Sequence, residues 1–366
     1  MIEDLSPEDS FRLQVLLAQE LRAVRIEESE ACPVLHALTN KGEASIPLSP
    51  NCRLDKYLRL IRELLSGHAL GSPGGYPVFL SRWTRHGQME GLNLGRLLLT
   101  GEPEAVVAVV HSPGLTDELA RDAWWAQPSI ENARLMLSRE KVARGAMGPI
   151  LADYLVEHLP FLQDEHLDIM DTVVVLLHSR VLSEANREAI WRRGKQVSTH
   201  YVAFLEVAGW DYRSVGASSA PQALPLPLPA RADRDMRLAD LAPLLAVGDL
   251  AANALARALE AQGQTFLAAA AEILERPETQ EVVNRALNAL GRYFASGSPR
   301  AQSESRMNAC QALEPQLEAA ARLARVSDEQ VTPIFARSTA IGSLMRRKIE
   351  PVVSGVLADI RLLRGL

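Results

Sequence analysis

The chain has 366 residues and a net charge of -6; 47% of its residues are hydrophobic but only 5% are aromatic. That length suffices for two domains or one extended array with a well-buried core, and the mild acidity speaks against a protein whose whole surface grips nucleic acid or an anionic membrane. Three distant cysteines, Cys32, Cys52 and Cys310, offer no disulfide framework, and no apolar run approaches the roughly 20 residues that span a bilayer.

Met1–Ser10 is acidic where a secretory leader would be basic and then apolar, so the expected location is the cytoplasm. Phe11–Arg25 reads as a first helix with Leu13, Leu16, Leu17 and Leu21 on its apolar side. Glu30–Cys52, broken by Pro33, Gly42, Pro47 and Pro50, reads as irregular. Leu54–Leu65 is helical again. Gly71–Gly75 then interrupts the pattern before the run Arg82-Trp83-Thr84-Arg85-His86.

Leu99–Pro160 is the stretch around which the rest is organised: four short amphipathic helices in succession. Pro103 suits a first helical turn, Thr116 is an N-cap backed by Asp117 and Glu118, and Pro128-Ser129 starts the third helix. In the fourth, Met147, Ile150, Leu151, Tyr154, Leu155 and His158 form one stripe. None of these helices covers its stripe alone, so they must stack. Asp164–Ser179 and a helix capped by Ser183 and ending near Gly209 continue the series, an arrangement akin to HEAT-type solenoids although no sequence repeat is visible.

Ser214–Pro229 changes character. Leu and Pro alternate over Leu224–Pro229, which favours extended polyproline-type chain. This places a Pro/Ser-rich linker at 213–237, between a helical-repeat domain at 1–212 and a helical bundle at 238–366. The alternative is a crossover lying on one domain's surface, where its leucines find cover. Beyond it the helices are Leu238–Ala246, Asp249–Gln262, Thr265–Glu275, Pro277–Ala295, Ser305–Arg325, Pro333–Ile349 and Pro351–Leu363. The expected fold class is all-α: HEAT-like stacked helices followed by a helical bundle.

Signatures of chemistry are thin. No histidine follows a glutamate at the spacing of di-iron bundles, and there is no His-Glu-x-x-His zinc pattern. The densest set, Glu165, His166, Asp168 and Asp171 with His158 nearby, reads as a solvated helix start. There is no nucleophile elbow, P-loop or dinucleotide fingerprint, and the isolated Ser138-x-x-Lys141 lacks its companion motifs. No catalytic residue, cofactor or metal is therefore expected. Three basic clusters remain: Arg82-Trp83-Thr84-Arg85-His86, Trp191-Arg192-Arg193 with Lys195, and Arg346-Arg347-Lys348. The last two read as solvated helix faces. In the first, Arg82, Trp83 and Arg85 are candidate partner contacts, since guanidinium and indole suit phosphates and flat faces alike, while Trp83 as a core residue is the alternative. Trp124 and Trp125 point about 100° apart on one helix; Trp124 takes the core side, leaving Trp125 either wedged between helices or offered to a partner.

Three runs carry a resemblance: Gly75-Tyr76-Pro77-Val78-Phe79-Leu80-Ser81-Arg82-Trp83-Thr84-Arg85, Leu99-Thr100-Gly101-Glu102-Pro103-Glu104-Ala105-Val106-Val107-Ala108-Val109-Val110, and Leu119-Ala120-Arg121-Asp122-Ala123-Trp124-Trp125. Together they resemble the sulfur reduction protein DsrS family, accessory proteins associated with the reverse dissimilatory sulfite reductase system of sulfur-oxidising bacteria. The resemblance implies a pathway, dissimilatory sulfur oxidation, and no assigned chemistry. The reading that follows is a non-catalytic accessory or regulatory protein acting through protein–protein interaction, with a protein partner, possible nucleic-acid contact as the alternative, and no membrane.

Overall fold

A computed structural model describes residues 5–29, 32–71, 91–162, 165–208, 224–295 and 312–365. The chain is mostly helical and carries one small sheet. It divides into two compact units, Met1–Glu157 and His158–Leu366.

The first unit opens with α1 (Pro7–Leu17), capped by the Ser6 side chain, and three antiparallel strands, β1 (Leu21–Glu27), β2 (Val34–Thr39) and β3 (Gly42–Pro47), in sheet order β1-β2-β3. This corrects two sequence expectations: the helix over Phe11–Arg25 stops at Leu17, and the segment Glu30–Cys52 contains two strands. In β2 the side chains of Leu35, Ala37 and Thr39 are buried while Val34, His36 and Leu38 are only half covered, the period-two pattern of a strand. A two-residue loop, Asn40-Lys41, joins β2 to β3, where Gly42 takes φ +126 and its carbonyl accepts from Thr39 Oγ1 at 2.7 Å. One sheet face, with Val24, Leu35, Ala37 and Ile46, packs with Leu13, Leu16, Tyr57, Ile61 and Leu65 from α1 and α2 (Leu54–Leu70).

The rest of the unit is α3 (Gly91–Leu97), α4 (Pro103–His111), α5 (Asp117–Ala126), α6 (Ile130–Leu137), α7 (Glu140–Ala143) and α8 (Met147–His158). Thr116 and Ser129 cap α5 and α6, accepting from Leu119 N at 3.3 Å and Asn132 N at 3.1 Å. The α8 stripe buries Met147, Leu151 and Leu155 but leaves Ile150 exposed. From α3 to α7 the helices pack on their neighbours, α4 on α5 and α6, α5 on α6 and α7. Helix α5 also lies on β1.

The second unit contains α9 (His166–Ser179), α10 (Glu184–Arg193), α11 (Thr199–Ala208), α12 (Arg234–Ala246), α13 (Leu250–Leu259), α14 (Ala261–Glu275), α15 (Gln280–Ala295), α16 (Glu314–Leu323), the short α17 (Thr332–Phe335) and α18 (Gly342–Arg364). Helix α11 is apolar nearly all round and is packed by α9, α14 and α15, as a central helix must be. Arg285 on α15 clamps this centre, reaching Asp171 on α9 at 2.6 Å and Glu206 on α11 at 2.5 Å. Gly291 on α15 lets the chain after α16 come close: a Cβ there would stand 2.0 Å from the Val326 carbonyl oxygen.

The division between units falls after Glu157, whereas the sequence places it at 213–237. Residues 166–208 belong with the C-terminal helices because α9 and α11 are bonded to α15. Residues 213–223 lie outside the described ones. The stretch that follows is a packed crossover: Gln262 on α14 gives its side-chain oxygen to Leu224 N at 2.6 Å, Thr265 gives its hydroxyl oxygen to Leu228 N at 2.6 Å, and Leu224 is buried. The C-terminus differs too. Pro351 sits inside α18 instead of starting a new helix, because Met345, Ile349, Val353, Val356, Ile360 and Leu363 form one buried stripe through it, and that burial outweighs the single main-chain bond the proline forfeits.

Candidate functional site

Of the four residues picked out in the sequence as partner contacts, Arg82, Trp83 and Arg85 lie outside the described residues. Trp125 is half-buried, and the structure places it against the second face of the sheet. Its indole Nε1 donates to Glu43 Oε1 at 2.7 Å, the Arg25 guanidinium stands 4.8 Å from the ring centroid, and Arg25 Nη1 donates to the Trp125 carbonyl at 3.3 Å. One turn earlier on α5, Asp122 receives two bonds from Arg22, at 2.5 and 3.3 Å. Burial pushes the Asp122 pKa up against the pull of Arg22. Trp125 is thus wedged between a helix and a sheet, and its neighbour Trp124 meets Tyr154 edge-on at 4.7 Å. Trp125→Phe, which keeps a ring under Arg25 but gives up the bond to Glu43, is expected to cost about 1 kcal/mol, and Trp125→Ala about 3 kcal/mol, in urea unfolding.

In the second unit the most polar cluster surrounds the start of α11. Glu278 accepts from Ser198 N at 2.8 Å and from the Ser198 hydroxyl at 2.6 Å, and His166 Nδ1 lies 2.9 Å from Thr199 Oγ1. Hydroxyl, imidazole and carboxylate in a row suggest a nucleophile, but Thr199 is fully buried and Glu278 is occupied with the helix end. The cluster is a side-chain cap donated from the loop before α15. His200 beside it is buried, which lowers its pKa and holds the ring neutral; His178 on α9 is lowered by the same cause. The acidic set noted in the sequence is dispersed, since His166 turns to Thr199 and Asp171 to Arg285. Among the described residues no three His, Cys, Asp or Glu side chains converge as metal ligands.

A groove of about 340 Å³ runs along α18. Beneath it lie the buried side chains of Leu274 at the end of α14 and of Ile349, Val353 and Leu357 of α18; Arg346, Arg347, Glu350, Ser354, Glu275 and Arg361 form its rim. Arg361 is neutralised, with Nη2 at 3.3 Å from Glu275 Oε1. Arg346 and Arg347 are exposed and have no carboxylate partner among the described residues. Lys348 turns away to the Ser338 hydroxyl at 2.7 Å. The sequence shows the basic triplet but reads it as a solvated helix face. Two things hide the groove there: the opposite wall is some 70 residues away, and Pro351 splits the helix that forms the stripe.

Comparison of the chain with known protein families, with curated proteins and with solved structures finds no match.

Proposed function

We propose that this protein is a non-catalytic accessory or regulatory factor that works by binding another protein, with the groove along α18 as its contact face. The observation that carries this reading is a groove whose rim holds two exposed arginines that no carboxylate among the described residues answers. Several other arginines are engaged inside the fold: Arg22 with Asp122, Arg62 with Glu28 and Glu102, Arg285 with Asp171 and Glu206, Arg322 with Asp359. Exposed arginines around a concave surface are what the polar rim of a protein interface offers.

The resemblance of the runs within residues 75–125 to the DsrS family supports bacterial dissimilatory sulfur oxidation as the setting, and the neighbour-on-neighbour packing of α3–α7 supports a degenerate, HEAT-like helical repeat in that region. A cytoplasmic location accords with the free thiols of Cys32 and Cys52 and with the lack of any described helix long and apolar enough to cross a membrane. The test is affinity capture from native extract with the tagged full chain and with its Arg346→Glu/Arg347→Glu variant. The reading expects a specific protein in the first eluate and its loss from the second. Identical eluates would remove the groove from the account.

A further inference from the structure

We propose that β3 is the seam of a symmetric dimer: its open edge pairs antiparallel with β3 of a second copy, about Ala44, and joins the two sheets into one.

The hairpin register decides which groups β3 has to offer. Val34 stands opposite Pro47 and Ala37 opposite Ala44, and just past the strand Leu48 N donates to the Pro33 carbonyl at 2.9 Å. Along an antiparallel strand, successive residues turn their main-chain groups to opposite sides. Ala44 and Ile46 therefore face β2 with theirs, as Leu48 does, and Glu43, Ser45 and Pro47 turn theirs outward. Gly42, Glu43, Ser45 and Pro47 are exposed, and among the described residues nothing bonds to the outward main-chain groups of Glu43 or Ser45. The opposite edge of the sheet is engaged, since Val24 N on β1 donates to the Leu98 carbonyl at 2.8 Å. The edge at β3 is thus a template for a further strand.

The pattern along this edge selects its occupant. Pro47 has no N–H, so a long foreign strand would lose its ladder there. A strand that pairs over residues 43–45 alone never reaches it, and a second β3 is such a strand. With Ala44 opposite the partner's Ala44, Glu43 exchanges both main-chain bonds with the partner's Ser45, and Ser45 does the same with the partner's Glu43. Small methyl groups meet on the axis, where antiparallel strands approach most closely. The side chains agree with this register. Glu43 Oε1 already accepts from Trp125 Nε1 at 2.7 Å, which orients the carboxylate and leaves Oε2 to accept from the hydroxyl of the partner's Ser45, directly opposite. The two Glu43 carboxylates stand on a diagonal and do not oppose each other. The edge is therefore complementary to itself, as an isologous contact requires.

Sedimentation velocity of the full chain is expected to show monomer giving way to dimer as concentration rises. Ser45→Pro removes only an outward N–H, so the β2–β3 ladder is kept while the dimer should weaken by about tenfold or more. Ser45→Glu sets like charges opposite each other on both sides of the axis and should weaken it by about the same factor. Ser45→Lys instead meets the partner's Glu43 and should dimerise at least as tightly as the unchanged chain, less so in added salt. Ser45 is exposed, so all three variants are expected to keep the native circular dichroism spectrum. A chain that stays monomeric at every soluble concentration overturns the proposal. So does a dimer that Ser45→Pro and Ser45→Glu leave intact, or one that Ser45→Glu and Ser45→Lys affect alike.

Discussion

Asp9→Ala is expected to destabilise the first unit by about 2–4 kcal/mol, the cost of leaving its hydrogen-bond donors unanswered. Asp9 is fully buried in the first turn of α1, and its Oδ2 accepts from Ser49 N at 2.7 Å and from the Tyr57 hydroxyl. One carboxylate therefore ties α1 to the chain leaving β3 and to α2. Removing it strands the buried Tyr57 hydroxyl, at roughly 1–3 kcal/mol of lost solvation, and takes away the bond that holds the Ser49 N–H. Tyr57→Phe takes away one donor and leaves the carboxylate its bond to Ser49, so about 1–2 kcal/mol is expected there. In the double variant the losses should add to less than their sum, since they share one bond. Urea titration of the four chains measures this, and a loss below about 1 kcal/mol for Asp9→Ala would show that water or a neighbouring group replaces the carboxylate.

The second large effect is alkaline unfolding. Tyr57, Tyr201 and Tyr293 each have a pKa pushed up to about 12. Burial is the main cause in all three, helped by the bond to Asp9 at Tyr57, by Glu272 at Tyr201 and by Glu260 at Tyr293, where Arg257 pulls the other way. The unfolded value is 10.0, so the native state holds these protons more tightly. The associated stability is fully present below pH 10 and is lost as pH rises towards 12. Each ring contributes about 2–3 kcal/mol over that window, one of them in the first unit and two in the second, a large share of the stability of an ordinary domain. The expected result is a cooperative loss of helical circular dichroism between pH 10 and 12, with the late phenolate absorbance appearing in the same step. Phenolate forming at these rings near pH 10 while the helices persist would contradict the burial assigned to them.

The caps were legible because capping is local chemistry: Thr116, Ser129, Ser183 and Asp249 each accept the main-chain N–H three residues on, as their side chains and neighbours announce. The sheet was not. In β1 a register shift between Leu21 and Ala23 breaks the alternation that marks a strand, and Arg22 and Arg25 fall where an exposed helix face would also put them. Pro47 in β3 reads as a loop breaker, yet on an edge strand it is tolerated because no further strand needs its N–H. The Leu-Pro alternation announced extended chain, but its cover came from Gln262 and Thr265, which no local pattern links to it. The same limit applies to the groove: the arginine pair is visible in the sequence, while its meaning depends on Leu274 and Glu275 arriving from another helix.

The most direct measurement on the groove as contact face is site-specific photo-crosslinking in native extract, with a benzophenone side chain placed at Ser354 in mid-groove and, as control, at Arg144 in the first unit. The account predicts one discrete adduct from position 354, abolished by Arg346→Glu/Arg347→Glu, and none from position 144. An empty lane at 354, or the same adducts from both positions, would contradict it.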